Sequence, residues 1–286
     1  MIKFENLRFQ YSGSSEFALD GSNLEIHDGE FIGVIGASGA GKSTLTYAIN
    51  GTVPHHFKGD FYGAVNVNGL DTVDNYPEDI AAEAGSVFQD IDAQMTATIV
   101  EDEILFGLEN FGCPREETED RINEALSALK IEKLRNRNIG TLSGGQKQKT
   151  AIAAMIALRP KILVLDEPTG ELDPQSSREI FELLKSLNKK YGMTIIIVEQ
   201  KIMLQCEFAD KLLVMDKGKA VHFDTVKNVL KHSEELENMG INCPRIVTLA
   251  RKLEENGIYS GEYPADLDSA EKMVRQILAE TGGKQL

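Results

Sequence analysis

Three short stretches of this 286-residue sequence carry residue types at spacings suited to handling phosphate. The first is GASGAGKST at 36–44, which satisfies G-x-x-x-x-G-K-[ST] between an apolar run and a helix-compatible one. Glycines at 36, 39 and 41 let the backbone bend. Successive N–H groups of Gly36, Ala37, Ser38, Gly39, Ala40 and Gly41 can then face inward around a β-phosphate. The helix that follows through Thr44 adds the positive end of its dipole. Lys42 reaches the β- and γ-phosphates, and the Ser43 hydroxyl ligates Mg²⁺. The ordinary alternative, a glycine-rich turn with an incidental lysine, does not account for the strand-to-helix setting.

The second stretch, KILVLDEP at 161–168, is an apolar strand ending in two acids. A carboxylate at the C-terminal end of a parallel strand lies where such sheets bind ligands. Asp166 is then expected to hold Mg²⁺ directly or through water, and Glu167 to orient or deprotonate an attacking water. The third stretch is LSGGQ at 142–146, ahead of the helix-like run KQKTAIAAMIALRP. Ser143, Gly144, Gly145 and Gln146 there make a second anion-binding helix start. Two phosphate-reading devices in one chain are economically explained by a dimer. Each ATP would lie between the first device of one subunit and the second device of the other.

The elements that must position these groups are legible in the apolar pattern. IKFENLRFQY, SNLEIHDGE and FIGVIG read as strands, GAVNVNG (63–69) as a short one, and MTIIIVEQ as a continuously buried one. Ile122, Ala125, Leu126 and Leu129 fall at i, i+3, i+4 and i+7, which predicts a helix over 115–130. Asp173 reads as the N-cap of a helix with Pro174 at its first position and a buried stripe of Ile180, Leu183, Leu184 and Leu187. Strands alternating with helices imply an α/β fold with a parallel sheet covered on both faces. Past residue 223 the sequence turns polar. One amphipathic helix is expected from Pro244 with Ile246, Val247, Leu249 and Leu253. A second is expected from Asp268, with Glu271 as a capping-box partner, burying Ala270, Met273, Val274, Ile277 and Leu278. Residues 1–223 are therefore expected to form one domain and 224–286 a small C-terminal subdomain.

The bulk properties exclude several classes. Apolar residues make up 42 % of the chain, enough for a packed core. No apolar run reaches the roughly 18 to 20 residues needed to cross a bilayer, and MIKFENLRF has no signal-peptide core. A soluble protein reaching a membrane only through a partner is expected. Cys113, Cys206 and Cys243 are too scattered for a disulfide framework or zinc site and suit a reducing cytosol. A net charge of −15 disfavours duplex nucleic acid. Those acids serve solubility, and a part of them offers a surface for a basic partner segment. His55 and His56 are adjacent, so they point apart on helix or strand and do not suggest a metal site. His222 and His232 give no better signal.

GASGAGKS, LSGGQ and ILVLDE together resemble the Walker A loop, signature and Walker B strand of the nucleotide-binding subunits of ABC transporters. The resemblance spans nearly the whole chain. It implies a P-loop NTPase (RecA-like) core with an antiparallel β subdomain and an α-helical signature subdomain at about 90–147. ATP and Mg²⁺ are the implied cofactors, with Ser43, Gln89 and Asp166 about the metal. ELD at 171–173 resembles the D-loop, with Asp173 facing the dimer partner. Gln89 in SVFQD resembles the Q-loop glutamine. Tyr11 stands where the family stacks an aromatic on adenine, although tyrosine is also common on strand surfaces. A narrower resemblance, to the energy-coupling factor ATPases, rests on VPHHFKGDFYGAVNVNG, on the Gln89 region with its second glutamine Gln94, on IIIVEQK, and on ENMGINCPRIVTLARKLEENGI. That group powers uptake of vitamins and of cobalt or nickel ions. The resemblance implies a second ABC ATPase subunit, a transmembrane coupling subunit and a substrate-binding membrane subunit. It also implies a peripheral location on the cytoplasmic face of the cell membrane. Glu101, Asp102, Glu103 and Glu109 are candidates to grip a basic coupling helix, and a solvated helix face explains them equally.

One residue departs from the family pattern. Gln200 occupies the place where most members carry a histidine that touches the γ-phosphate. A glutamine amide donates an N–H but never carries positive charge, so transition-state stabilisation is expected to be weaker. With Glu167 and LSGGQ intact, the expectation is a heterodimer in which this chain lends its signature to a partner's active site. A homodimer turning over slowly through Glu167 is the alternative. A non-hydrolysing regulatory subunit and a soluble ABC ATPase acting on nucleic acid or ribosomes are the competing classes.

Overall fold

The computed structural model describes residues 1–280. Ten strands among them form two sheets. The smaller is antiparallel, in the order β2-β1-β4-β5, from β1 (Ile2–Tyr11), β2 (Leu19–Ile26), β4 (Gly59–Val67) and β5 (Leu70–Asp71). The larger has the order β10-β9-β3-β8-β7-β6. Its members are β3 (Phe31–Ile35), β6 (Ala84–Val87), β7 (Ile162–Asp166), β8 (Thr194–Val198), β9 (Lys211–Asp216) and β10 (Lys219–Thr225). All its pairings are parallel except the β9–β10 hairpin.

Every residue of β3, β7 and β8 is buried, which is why these strands read as unbroken apolar runs. Alternate side chains enter two cores. Ile32, Ile196 and Val198 face the antiparallel sheet with Phe4, Phe9 and Leu45, the last from helix Lys42–Ile49. Phe31, Leu165 and Ile197 face the other way, onto helices Val100–Asn110, Arg115–Ala128, Gly144–Ala157 and Pro174–Tyr191. Helix Arg115–Ala128 buries Ile122, Ala125 and Leu126 as its spacing predicts. In helix Pro174–Tyr191 the buried stripe is Ile180, Phe181, Leu184 and Leu187, with Leu183 only at its rim. The helical region expected at about 90–147 runs on to Ala157, because the helix that LSGGQ opens is 14 residues long.

The expected boundary at 223/224 falls inside β10. A third core spans that position. Leu212 and Val214 of β9 pack in it with Val229, Leu236, Val247, Tyr259 and Met273. Residues 281–286 of the expected C-terminal region lie outside the described residues. Helix Arg245–Glu255 follows Pro244 as expected, yet Leu249 is exposed while Val247 and Ala250 are buried. In helix Leu267–Glu280, Ala270, Met273 and Ile277 are buried, whereas Val274 and Leu278 are exposed. The stripe is one residue wide per turn rather than two. The start of that helix is also displaced: Asp266, not Asp268, accepts from the Ser269 N–H at 2.7 Å, and Glu271 pairs with Arg275 instead of capping.

The acidic stretch at 101–109 is partly consumed by the fold. Glu101 accepts from Arg135 through both carboxylate oxygens, at 2.9 and 2.5 Å. Glu103 is buried and accepts the N–H groups of Thr96 and Ala97 at 2.9 and 2.7 Å. Only Asp102 and Glu109 of the four acids are left exposed, so the expected four-residue acidic grip is halved.

Candidate functional site

The loop at 36–41 joins the buried end of β3 to helix Lys42–Ile49. Two of its glycines are required by close approach. A Cβ on Gly36 would stand 2.4 Å from the Met215 carbonyl oxygen, and one on Gly41 2.3 Å from that of Ala18. Gly41 also has φ of 97°, in the left-handed region that β-carbons disfavour. The Lys42 Nζ lies within the loop and donates to the carbonyls of Gly36 and Ala37, both at 2.9 Å. Burial lowers its pKa, against the pull of Glu167 and Asp166. A partly desolvated ammonium inside a ring of N–H groups is a strong phosphate anchor.

Parallel pairing of β7 between β8 and β6 carries Asp166 and Glu167 to the same end of the sheet as the loop. Asp166 is 3 % exposed, and its Oδ1 has no hydrogen-bond partner. Burial raises its carboxyl pKa, the Ser43 hydroxyl bond opposes this, and Glu167 adds to it. A buried carboxylate oxygen without a partner, beside a serine hydroxyl, is an oxygen-donor set that fits Mg²⁺. Asp166 and Ser43 are the residues suited to hold it, and Gln89 lines the same cleft as Ser43.

Glu167 has φ of 49°, unusual for a residue with a side chain, and its N–H donates to the Val198 carbonyl at 2.9 Å. This turn directs its carboxylate into the cleft. There Gln89 Nε2 donates to Oε2 at 3.2 Å and Gln200 Nε2 to Oε1 at 2.9 Å. All three residues expected to be catalytic therefore meet at one carboxylate. Gln94 braces the Gln89 loop, accepting from the Phe88 N–H and donating to the Ser86 carbonyl, each at 2.9 Å.

Tyr11 closes the near side of the loop, its hydroxyl 3.1 Å from Thr44 Oγ1. Its ring packs edge-on against Phe9 and Phe57, and Phe57 stacks on Tyr47. Tyr11, Ser38, Gly39, Lys42, Glu167 and Gln200 line one cleft of about 440 Å³. A larger hollow of about 950 Å³ opens near the opposite ends of β7 and β8, by Arg121, Ala157 and Met193. It contains none of the phosphate-reading residues, so size does not select the site.

The signature residues are not in the cleft. Ser143 caps helix Gly144–Ala157, and its hydroxyl accepts from the Gln146 N–H at 3.4 Å while the Gln146 side-chain oxygen accepts from the Ser143 N–H at 3.1 Å. Asp173 caps helix Pro174–Tyr191 and receives the N–H groups of Gln175 and Ser176 at 3.0 Å. The hydroxyl bond from Ser176 leads in holding its carboxyl below the usual range. Gly144 and Gly145 adjoin Leu172 and Ser176. The signature turn and the 171–173 loop thus form one exposed edge, apart from the chain's own phosphate loop.

Two positioning residues escaped the sequence reading. Buried Glu199 accepts the Thr169 N–H at 2.7 Å and the Gln200 N–H at 3.1 Å, tying the strand before Gln200 to the turn after Glu167. Lys201 donates to the Leu172 carbonyl at 3.0 Å and Ser177 Oγ at 2.9 Å, fastening the 171–173 loop. The consecutive polar residues after IIIV were the available signal. His55 bonds the Thr72 carbonyl at 2.9 Å.

A phosphate loop at the end of β3, with paired acids at the end of the neighbouring strand but one, defines a P-loop nucleoside triphosphatase. The ABC transporter family model matches residues 19–170, just over half of the sequence. The energy-coupling factor transporter ATP-binding protein EcfA1 of Caldanaerobacter subterraneus subsp. tengcongensis is 40 % identical over 281 residues, covering 97 % of this chain and 98 % of that one. The structure of cbiO1 from Clostridium perfringens, described as part of the ABC transporter complex cbiONQ, superposes with a TM-score of 0.74 at 33 % identity. That match covers 87 % of this chain and 98 % of the other. The ATP-binding cassette MJ0796, as a dimer bound to ADP and Pi, gives a TM-score of 0.69 at 28 % identity over 79 % and 99 % of the two chains. The chain belongs to the ABC transporter family as an ATP-binding subunit, and it is an ATPase similar to those of energy-coupling factor transporters. Among the described residues no helix is long and apolar enough to cross a membrane.

Proposed function

We propose that this chain powers import through an energy-coupling factor type transporter, as one half of an unequal ATPase pair. The substrates belong to the vitamin or transition-metal ion class. Its partners are a second ABC ATPase subunit, a transmembrane coupling subunit and a substrate-binding membrane subunit, and it works from the cytoplasmic face of the cell membrane. A net charge of −15 speaks against nucleic acid as a partner. The described part of the C-terminal region, residues 224–280, acts as an extension packed on the ATPase core, a reading supported by the shared third core.

In this reading Tyr11 stacks on adenine and the backbone of 36–41 surrounds the β-phosphate. Lys42 binds the β- and γ-phosphates, with Thr44 holding the Tyr11 hydroxyl in register. Ser43, Asp166 and Gln89 would hold Mg²⁺, which would supply positive charge to offset the negative charge developing on the phosphate during transfer. Glu167 takes the proton of the attacking water, and the Gln89 and Gln200 amides fix the carboxylate that does so. Ser143, Gly144, Gly145, Gln146 and Asp173 act across the dimer on the partner's nucleotide.

The observation that carries this reading is the separation within one chain of the signature edge from the cleft where Lys42, Glu167 and Gln200 meet. One subunit holds two half-sites, and a second ATPase completes them. A Glu167→Gln variant tests it. With ATP and Mg²⁺ the variant alone, without the partner ATPase, is expected to accumulate more ATP-bound dimer by size exclusion than wild type does. No nucleotide-dependent dimer of the variant contradicts the reading. The second reading, a weakly hydrolysing regulatory subunit, is favoured only by Gln200.

A further inference from the structure

Beyond the nucleotide cleft, the described residues contain one convergence of metal-ligating side chains, from two elements far apart in local geometry. His222 lies on β10, His232 immediately precedes helix Ser233–Asn238, and Glu235 stands on that helix. The pairing of β10 with β9 skips Val221, with Ala220 opposite Met215 and His222 opposite Val214. A bulge of this kind re-aims the side chain that follows it, here towards the helix. His232 and Glu235 are three apart and share one face of their turn.

The ligand atoms of the three residues all lie within 4.8 Å of one another. His222 Nε2 is 2.9 Å and His232 Nδ1 is 3.7 Å from the same oxygen, Glu235 Oε2. A tetrahedral ion with bonds of about 2.0–2.1 Å needs ligand atoms roughly 3.4 Å apart, between these two values. The imidazole rings stack, with centroids 4.3 Å apart and planes inclined by 26°. Rigid packing supports the set: Val214, opposite His222, and Leu236, beside Glu235, are fully buried in the third core. His232 and Glu235 are half exposed, so solvent reaches a fourth coordination position.

We propose that His222, His232 and Glu235 form a binding site for a divalent transition-metal ion of the imidazole-preferring kind, with Zn²⁺ as the probe. Two imidazoles and one carboxylate favour Zn²⁺, Ni²⁺ or Cu²⁺ over Mg²⁺, so the site is chemically distinct from the one at Asp166. A bound ion ties the edge strand of the main sheet to the C-terminal helices. The site is independent of the transport reading and stands or falls separately from it.

The test uses the full chain, stripped with a chelator and then titrated with Zn²⁺ against a chromophoric competitor in excess Mg²⁺, which occupies hard oxygen sites. One saturable equivalent with a dissociation constant in the micromolar range or below is expected. His222→Ala and Glu235→Gln should each weaken binding by roughly 10- to 100-fold or more. A His55→Ala/His56→Ala variant should bind as wild type does. In the Co²⁺-loaded protein, ligand-field absorption should vanish in His222→Ala/His232→Ala. Glu235→Gln keeps both rings and the helix, so it still tests the site if the histidine variants fold poorly. Absence of a saturable equivalent in wild type, or unchanged affinity in Glu235→Gln and the double histidine variant, overturns the proposal.

Discussion

Gln200 Nε2 donates to Glu167 Oε1 at 2.9 Å, so the residue in the switch position is bound to the carboxylate proposed as the base. An amide held there orients the base yet brings no positive charge towards a γ-phosphate. Gln200→His is therefore expected to raise turnover at the chain's own site by about tenfold, since one well-aimed donor is worth that much or more. Steady-state ATP hydrolysis by the purified chain and by its assembled complex measures this. Unchanged turnover in both would remove Gln200 as the limiting feature.

Asp166 presents a buried oxygen with no partner in the ligand-free chain, which costs stability. Asp166→Asn should raise the ligand-free melting temperature at pH 7 by about 2–4 °C, equivalent to roughly 1 kcal/mol for a chain of this size. The same variant should lose the further rise that Mg²⁺ with ATP gives wild type. Removing Mg²⁺ with EDTA should abolish that Mg²⁺-dependent rise in wild type. Calorimetry with and without ligand checks both halves.

Lys201 satisfies the carbonyl of Leu172 and the hydroxyl of Ser177 from a part-buried position. Lys201→Met removes both bonds, with the Ser177 hydroxyl still donating to the Asp173 carbonyl at 2.9 Å, and should cost about 1 kcal/mol in urea unfolding. The loop it fastens carries Asp173, so nucleotide-dependent dimerisation should weaken as well. A variant with wild-type stability and dimerisation would show that the loop holds itself.

Much of this site is legible in the sequence because its requirements are local. A loop that wraps phosphate needs glycines at fixed offsets, and the close approaches at Gly36 and Gly41 give the reason. Buried strands such as β7 announce themselves as apolar runs. What the sequence hides is long-range pairing. Nothing local says that Glu103 turns inward to receive two backbone N–H groups while Asp102 stays in solvent. The convergence of His222 with His232 and Glu235 depends on a bulge in β10, which composition does not encode. Leu249, Val274 and Leu278 are exposed because their flank of each C-terminal helix is turned away from the core, a rotation that periodicity leaves open.

Arg135 joins Glu101 to Glu119, fastening helix Val100–Asn110 to helix Arg115–Ala128. Its hydrogen bonds lead in lowering both carboxyl pKa values. A depressed carboxyl gives stability that is present above its unfolded pKa and lost as pH falls through the folded one. Arg135→Met should thus lower stability near neutral pH, and the difference from wild type should shrink below roughly pH 4. Urea midpoints across pH test the sign. A gap that widens in acid would contradict it.

Under the proposed unequal pairing, this chain's own site turns over weakly and needs its partner for full activity. The most direct measurement is ATP hydrolysis by the purified chain alone, by its Glu167→Gln variant, and by the complex with its partner ATPase. Slow turnover is expected of the chain alone, and fast turnover of the complex that largely survives Glu167→Gln in this subunit. Brisk turnover by the chain alone, equal to that of the complex and abolished by Glu167→Gln, would contradict it.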